Sequence, residues 1–252
     1  MRILFMGTPE IAAASLQALL SAGHEVCGVF TREDKPVGRK QVLTAPPVKA
    51  LALQAGLPVF QPRTLRTGEA EAQIRALAPE LVVVVAYGRI LPPEILSIPP
   101  KGCINLHVSL LPKYRGAAPV QWAVINGEAE TGVSIMYLDE GLDTGDILKV
   151  APVEIGPEET SGELFQRISA LGAATLVEAV AGIAAGSAVR APQDHEKATQ
   201  APPLTKELAR FEFDRPAGAL HNLIRGMNPW PAAYFEREGK KVKVLRSRVA
   251  AG

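Results

Sequence analysis

The sequence predicts an α/β fold built on a doubly wound, mostly parallel β-sheet. Short runs of β-branched residues alternate with amphipathic stretches through the first half of the chain, and this alternation is typical of successive β-α-β units. Glu80–Ala86 contains four consecutive valines, a pattern that indicates a strand buried on both faces of a parallel sheet. At 252 residues, the chain is long enough for one large domain and a smaller one.

Each element of this fold has its own signal in the sequence. A strand at Ile3–Met6 is followed by a helix that begins at Pro9, since Pro suits the first turn of a helix and apolar residues then recur at helical spacing. Gly162–Gly186 is rich in Ala and Leu with a helical period, so we expect it to pack on the sheet as the closing helix. The other strands are predicted at Glu25–Phe30, Pro58–Phe60, Glu80–Ala86, Cys103–His107, Gly132–Leu138 and Ile147–Val153.

Composition and charge exclude several functional classes. The chain has 27 Lys and Arg against 26 Asp and Glu, so only a local basic patch could bind a polyanion. Its two cysteines, Cys27 and Cys103, cannot form a disulfide framework or a Cys-rich zinc site. The longest purely apolar stretch, Leu81–Ala86, is far shorter than the ~20 residues that span a membrane. We expect a soluble, cytoplasmic protein that binds no membrane and no metal, and we take it to be a monomer.

The last quarter of the chain differs in composition from the rest. Residues 187–206 are polar, interrupted by Pro and without periodicity, as expected of a linker. After them, a helix is predicted at Pro216–Arg225 and strands at Ala233–Glu236 and Lys241–Leu245, which is too little to fold alone. The predicted domains are a catalytic domain over residues 1–186, the linker over 187–206 and a partial C-terminal domain over 207–252.

The first turn of the predicted sheet, Gly7-Thr8-Pro9-Glu10, argues against a dinucleotide cofactor. A Gly-x-Gly-x-x-Gly turn needs its second and third glycines so that the backbone can approach a pyrophosphate, and this turn lacks them. Glu10 also places negative charge where the phosphate would lie. We therefore expect neither NAD nor a flavin.

Polar side chains alternate with apolar ones along the segment Gly102–Pro112. Asn105, His107 and Ser109 would share one face of an extended strand. An amide and an imidazole two residues apart can stabilise a developing oxyanion, and the imidazole can also move a proton. The alternative is a hydrogen-bonded polar strand end without chemistry.

A second polar segment, residues 139–146, is called the acidic loop here. It contains Asp139, Glu140, Asp143 and Asp146, but their spacing does not fit a calcium-binding loop. One interpretation is a solvated loop with two turn glycines. In the other, one Asp is the partner of His107 and orients its ring.

Together these residues resemble the folate-dependent formyltransferase family. The resemblance is carried by Asn105-x-His107, by the run Ser109-Leu110-Leu111-Pro112-x-x-Arg115-Gly116 and by Asp143. It implies a Rossmann-like catalytic domain in which Asn105, His107 and Asp143 transfer a formyl group from the co-substrate 10-formyltetrahydrofolate to an amine. The match continues in Ala86–Leu91, Gly141–Asp146 and Asn228–Pro231.

The resemblance also implies a mechanism in which the amine attacks the formyl carbon directly, without a covalent enzyme intermediate or a metal. Asn105 and protonated His107 would stabilise the oxyanion of the tetrahedral intermediate. Asp143 would orient His107 and an ordered water, assisting proton transfer from the amine to the leaving folate nitrogen. The family's pterin contacts correspond to Arg89, Ile90 and Leu91, and its other folate contacts correspond to Ser109, Leu110, Leu111 and Pro112.

Three features resemble most closely the branch of the family that acts on methionyl-tRNA. They are Gly116–Gln121, the insertion near Lys35–Lys49 and Asn228-Pro229-Trp230-Pro231. They imply that the acceptor is the α-amine of initiator methionyl-tRNA. A formyltransferase acting on an amino-sugar nucleotide or another small amine is the alternative with the same chemistry. A non-catalytic RNA-binding protein that kept the fold is the alternative from another class.

Two basic regions suit a tRNA partner. Residues 32–49, called the basic loop here, hold five basic and two acidic residues, a net charge of +3. The sequence predicts that much of this loop is irregular, because it contains Pro36-Val37-Gly38 and Pro46-Pro47. In the family, the corresponding insertion enters the acceptor-stem end of the tRNA; Arg39 aligns with its key arginine, and Lys40 is adjacent.

The second basic region, residues 223–252, is called the basic tail here. Seven basic and two acidic residues give it a net charge of +5, which suits contacts to RNA phosphates. We expect Lys240, Lys241 and Lys243 to bind the tRNA. The resemblance implies an OB-like barrel at this end, and about two of its five strands are present, so we expect a partial, truncated OB-like domain.

Overall fold

The computed structural model describes residues 1–38 and 40–250. The strands within them are β1 (Arg2–Gly7), β2 (Glu25–Phe30), β3 (Lys35–Val37), β4 (Val42–Thr44), β5 (Val59–Phe60), β6 (Leu81–Val85), β7 (Cys103–His107), β8 (Arg115–Gly116), β9 (Glu130–Tyr137), β10 (Ile147–Glu154), β11 (Gln200–Ala201), β12 (Tyr234–Arg237) and β13 (Lys240–Lys243). The helices are α1 (Glu10–Ser21), α2 (Pro47–Gln54), α3 (Glu69–Leu77), α4 (Pro93–Leu96), α5 (Pro119–Ile125), α6 (Ser161–Ala184) and α7 (Ala217–Gly226), with a 3₁₀ turn at His195–Lys197.

In the described residues, the main sheet has seven strands in the order β10-β9-β7-β6-β1-β2-β5. The chain builds outward from β1 through β2 and β5 on one side, and through β6 and β7 on the other. These five strands are parallel, and β9 runs antiparallel to β7. Every residue of β6 is buried, as its run of valines predicts. The predicted doubly wound, mostly parallel sheet is confirmed.

Close packing explains the single glycine of the first turn. A Cβ at Gly7 would lie 2.6 Å from Ala12 Cβ and 2.9 Å from the carbonyl oxygen of Val85. Glycine at this position therefore lets β1, α1 and β6 approach one another. Helix α1 then begins at Glu10, with Pro9 as its N-cap residue.

The basic loop differs from the irregular loop that its sequence predicts. It contains the short antiparallel hairpin β3–β4, and α2 begins within it at Pro47. Pro47 suits the first turn of α2, because backbone amides in the first turn of a helix have no partner within the helix and proline has no amide hydrogen to leave unpaired. The hairpin escaped prediction because its two strands are three residues each and every residue in them is exposed.

The chain forms two compact units of interleaved segments. The first unit comprises residues 1–107, 134–150 and 169–193, and the second comprises residues 108–133, 151–168 and 194–252. The predicted domains, in contrast, are continuous ranges of the chain, and their boundaries stay a prediction. The core of the first unit includes Leu4, Met6, Phe30, Ile74, Val82, Val84, Tyr87, Ile95 and Cys103.

The second unit has its own apolar core, to which α5, α7 and β12 contribute. Ala118, Leu223, Ile224, Met227 and Tyr234 are buried in it. Strands β12 and β13 pair as an antiparallel hairpin. An OB-like barrel at this end of the chain stays a prediction.

Helix α6 is long and apolar enough, by length and composition, to cross a membrane. A core helix of a globular protein meets the same criteria. Leu164, Ile168, Leu176, Val180 and Ile183 are buried, and they recur at the spacing of one helix face. The pattern is that of a helix packed along one side, as the sequence predicts for the closing helix.

Candidate active site

The candidate site begins on β7, whose residues Asn105 and His107 share one face because they are two positions apart. Asn105 lies opposite Val84 of β6 and Met136 of β9, and His107 lies opposite Ser134. His107 is 6% exposed. The strand ends at His107, as predicted, so Ser109, which was expected on the same extended face, lies beyond the strand.

The acidic loop approaches His107 from an unexpected direction. Because β9 is antiparallel to β7, Tyr137 at the end of β9 lies opposite Ile104, near the start of β7. The loop therefore leaves the sheet at that end and folds back along β7. Its Asp143 reaches His107, with 3.6 Å between Asp143 Oδ2 and His107 Nδ1. The structure thus brings together the predicted His–Asp pair.

Hydrogen bonds within the acidic loop separate the roles of its carboxylates. Asp139 Oδ1 accepts hydrogen bonds from Thr144 Oγ1 at 2.6 Å and from the Gly141 amide at 3.0 Å. Asp139 therefore shapes the turn. Asp143 has a φ of 54°, in the left-handed region where non-glycine residues are uncommon, and its carboxylate faces His107. An uncommon backbone conformation of this kind is often found at functional positions.

A cleft of about 500 Å³ opens in the first unit, bordered by the acidic loop and by the segment after β6. Ile90, Leu91 and Pro92 give it apolar lining, and Glu140 of the acidic loop also lines it. Arg66 contributes a positive charge. Two of the three predicted pterin contacts, Ile90 and Leu91, therefore lie in a cavity large enough for a small molecule.

The segment after β6 is held in place by neighbouring strand ends. Thr8 Oγ1 donates to the Tyr87 carbonyl at 3.2 Å, and Arg32 Nη1 donates to the Gly88 carbonyl at 2.9 Å. The Arg89 side chain donates to the carbonyl of Arg63. This guanidinium is therefore engaged with the protein through that hydrogen bond.

The other predicted folate contacts, Ser109, Leu110, Leu111 and Pro112, belong to the second unit. Ser109 Oγ donates to the Lys113 carbonyl at 2.7 Å, so this hydroxyl closes a turn. Their contact with folate stays a prediction, as do the catalytic roles of Asn105, His107 and Asp143.

The predicted tRNA contacts lie on exposed surface where the structure describes them. Lys40 is exposed in the β3–β4 turn, whereas Arg39 lies outside the described residues. Lys240, Lys241 and Lys243 are exposed on β13. Lys241 Nζ lies 4.4 Å from the centre of the Tyr234 ring, so this lysine is partly held by the hairpin itself.

The base of the basic loop is held by a cluster that the sequence reasoning missed. Lys49 Nζ donates to both carboxylate oxygens of Asp34 at 2.8 Å and to Gln61 Oε1 at 2.9 Å. Gln61 Nε2 donates in turn to the Arg32 carbonyl at 2.7 Å. The hydrogen bond from Lys49, and a second one from Gln61, hold the pKa of Asp34 below its usual value. The one sequence signal for Gln61 is its position directly after a predicted strand.

Residues 1–180 match the protein-family model described as formyl transferase, and residues 203–252 match the formyl transferase C-terminal domain. The chain is 49% identical over 251 residues to the methionyl-tRNA formyltransferase of Desulforamulus reducens, covering 100% of this chain and 79% of that protein. It is 51% identical over 249 residues to the methionyl-tRNA formyltransferase of Moorella thermoacetica, covering 99% of this chain and 80% of that protein.

Among solved structures, the fold is similar to the N-formyltransferase from Helicobacter canadensis in complex with folinic acid and dTDP-3-aminofucose. The TM-score is 0.74 at 20% identity, covering 95% of this chain and 85% of that one. This likeness shows the fold, and the family follows from the family models and the relatives in sequence. The chain belongs to the formyl transferase family, and the relatives that match it along nearly its whole length are methionyl-tRNA formyltransferases.

Proposed function

We propose that the protein transfers the formyl group of 10-formyltetrahydrofolate to the α-amine of initiator methionyl-tRNA. The observation that carries this proposal is the pairing of His107 on β7 with Asp143 of the acidic loop, a loop that also borders the cleft through Glu140. Relatives at about half identity over nearly the whole chain carry the name of this activity. A function in translation makes the cytoplasm the expected location.

In the proposed reaction, a new bond forms between the amine nitrogen and the formyl carbon, and the bond from that carbon to the folate nitrogen breaks. Asn105 and protonated His107 donate hydrogen bonds to the oxyanion that develops on the formyl oxygen. Asp143 holds the imidazole in position and, with an ordered water, assists proton transfer from the amine to the departing nitrogen. Attack at short range between bound reactants supplies much of the rate enhancement.

The cleft fits the chemistry of a folate. Flat aromatic rings can pack against Ile90, Leu91 and Pro92, and the Glu140 carboxylate can accept hydrogen bonds from pterin amino groups. Arg66 can attract the carboxylates of the glutamate tail. A relative of the same fold has been crystallised with folinic acid, which supports this assignment.

The tRNA would contact two basic surfaces. The exposed hairpin of the basic loop carries Lys40, and the exposed strand β13 carries Lys240, Lys241 and Lys243. Contacts from such lysines to phosphates position a nucleic acid without reading its sequence. Arg39 is expected to act with Lys40 at the acceptor end.

A formyl-transfer assay with 10-formyltetrahydrofolate and charged initiator tRNA tests the proposal. We expect formyl-methionyl-tRNA to accumulate with turnover, and uncharged tRNA serves as the matched control because it lacks the amine. An amino-sugar nucleotide is the competing acceptor. Turnover with the sugar amine and none with methionyl-tRNA would overturn the proposal, and tRNA binding without turnover of either acceptor would favour a binding protein.

A further inference from the structure

The chain that follows α6 returns to the acidic loop and pairs with Ile147, the residue directly after it. Ile147 N donates to the Ala191 carbonyl at 2.8 Å, and Ala191 N donates to the Ile147 carbonyl at 2.9 Å. The Arg190 guanidinium lies 4.1 Å from the centre of the Tyr137 ring, and its Nε donates to Asp146 Oδ2 at 2.9 Å. Because Tyr137 and Ile147 flank the acidic loop, this part of the chain is anchored at both ends of it.

Gln193 reaches into the acidic loop from the same part of the chain. Its Nε2 donates to the Gly145 carbonyl at 2.7 Å and to the Asp143 carbonyl at 3.0 Å. A carboxamide nitrogen carries two hydrogens, so one side chain can satisfy both carbonyls. Gln193 is 7% exposed, so bulk water is poorly placed to supply these donors in its absence.

The backbone that Gln193 contacts, from Asp143 to Gly145, is conformationally restricted. Asp143 is in the left-handed region with a φ of 54°. At Gly145, a Cβ would lie 1.9 Å from the carbonyl oxygen of Tyr137, so a residue with a side chain does not fit. An uncommon backbone conformation persists when surrounding contacts over-determine it, and the two hydrogen bonds from Gln193 are such contacts.

We propose that Gln193 is a positioning residue for Asp143. By holding the carbonyls on both sides of Thr144, it keeps the Asp143 carboxylate 3.6 Å from His107 Nδ1. Small displacements of a catalytic group have large effects on rate, so the contribution of Gln193 is to turnover rather than to substrate binding. This inference rests on the proposed function, in which Asp143 orients His107.

Gln193→Met keeps the length of the side chain and removes both donors. We expect kcat to fall about 30-fold, with KM for 10-formyltetrahydrofolate and for methionyl-tRNA within about threefold, because only the placement of Asp143 changes. Gln54→Met is the matched control, since Gln54 is an exposed glutamine at the end of α2. It is expected to leave kcat and both KM values unchanged.

A double-mutant cycle separates positioning from general stabilisation. In an Asp143→Asn background, adding Gln193→Met is expected to lower kcat by a further factor of less than about three. Its effect passes through the Asp143 carboxylate, which this background already lacks. If the kcat losses of the two single variants multiplied in the double variant, the proposal would be overturned. A kcat within threefold of wild type for Gln193→Met alone would also overturn it. A negligible effect of Asp143→Asn would instead contradict the proposed site, so the two failures are distinguishable.

Gln193→Glu provides a second readout and carries the test if Gln193→Met does not fold. The ionised carboxylate has no hydrogen to donate to the two carbonyls, whereas the protonated acid can donate one. Burial beside two carbonyl oxygens favours the protonated acid and raises the pKa of the introduced carboxyl. We therefore expect the ratio of its kcat to that of wild type to be lower at pH 8 than at pH 6. A ratio independent of pH, or loss of folding in both variants, would assign Gln193 to stability alone and overturn the proposal.

Discussion

The acidic loop and the basic loop are both polar segments of the first unit, yet they are held in opposite ways. The acidic loop is tied along its length: Asp139 closes its turn, Gln193 holds its carbonyls, and Arg190 is paired with Asp146. The basic loop is tied at its base by Lys49, and the two strands of its hairpin are exposed along their whole length.

The two loops are therefore suited to different tasks. A group that orients a catalytic imidazole must be held to a fraction of an ångström, so it needs contacts on every side. A segment that meets a large, charged partner gains from exposure and needs a fixed point of departure instead. The proposed function gives chemistry to the acidic loop and substrate docking to the basic loop, and the two ways of holding the loops fit these two proposed roles.

Substitutions in the His107–Asp143 pair should change the rate most, and they test the role proposed for the acidic loop. His107→Ala and Asp143→Asn should each lower kcat by roughly a thousandfold, because the first removes a donor to the oxyanion and the second removes the group that orients it. The double variant should be little worse than either single one, since the pair acts as a unit. Single-turnover kinetics measure the loss, and circular dichroism checks the fold. Rates within tenfold of wild type would remove these residues from the mechanism.

An intermediate effect is expected at the base of the basic loop. Lys49→Met removes the ammonium group that joins Asp34 to Gln61. The hairpin should then lose its fixed direction, raising KM for methionyl-tRNA about tenfold while kcat at saturating tRNA stays within about threefold. Lys206→Met is the control for loss of one positive charge, because Lys206 is an exposed lysine of the second unit. Equal changes in the two variants would mean that the cluster contributes charge and not direction.

The smallest effect that we expect is a change in the pH dependence of stability, at Cys103 on β7. The Cys103 carbonyl accepts a hydrogen bond from the Leu138 amide, just before the acidic loop. Burial raises the pKa of the Cys103 thiol from 9.0 to about 12. Above pH 9, the unfolded chain therefore releases this proton while the folded chain keeps it, so the free energy of unfolding should fall as the pH rises through this window.

Urea unfolding at pH 8 and pH 10, in a Cys27→Ala background, measures this contribution. Cys103→Ala should make the free energy of unfolding less dependent on pH, although the cavity it leaves lowers stability at both values. The same pH dependence with and without Cys103 would show that the thiol is accessible in the folded state. The start of β7 would then be more open than the burial of Cys103 in the core of the first unit implies.

The sequence predicted those parts of the molecule that depend on local pattern. Strands β2 and β7 have the predicted bounds, because a strand buried in a parallel sheet needs apolar residues at nearly every position. Asn105 and His107 could be singled out because a polar pair interrupts such a run near its end. Each of these features depends on residues that are neighbours in the sequence.

Features that depend on tertiary placement could not be predicted in this way. Nothing in the pattern of β9 says that it runs antiparallel to β7, so the route by which Asp143 reaches His107 was not foreseen. Gln193 lies in a polar, Pro-interrupted segment that resembles a linker, and its partners are 48 and 50 residues away in the chain. Its importance appears only when that segment is seen beside the acidic loop.

The exposed apolar lining of the cleft has a thermodynamic consequence. Ile90 is 74% exposed, although it is a large apolar side chain. A ligand that covers this lining transfers apolar surface out of water, and such transfer lowers the heat capacity of the complex relative to its separated parts. The enthalpy of co-substrate binding should therefore become more favourable on warming, with a compensating loss of entropy, so the affinity itself changes little over the range in which the protein stays folded.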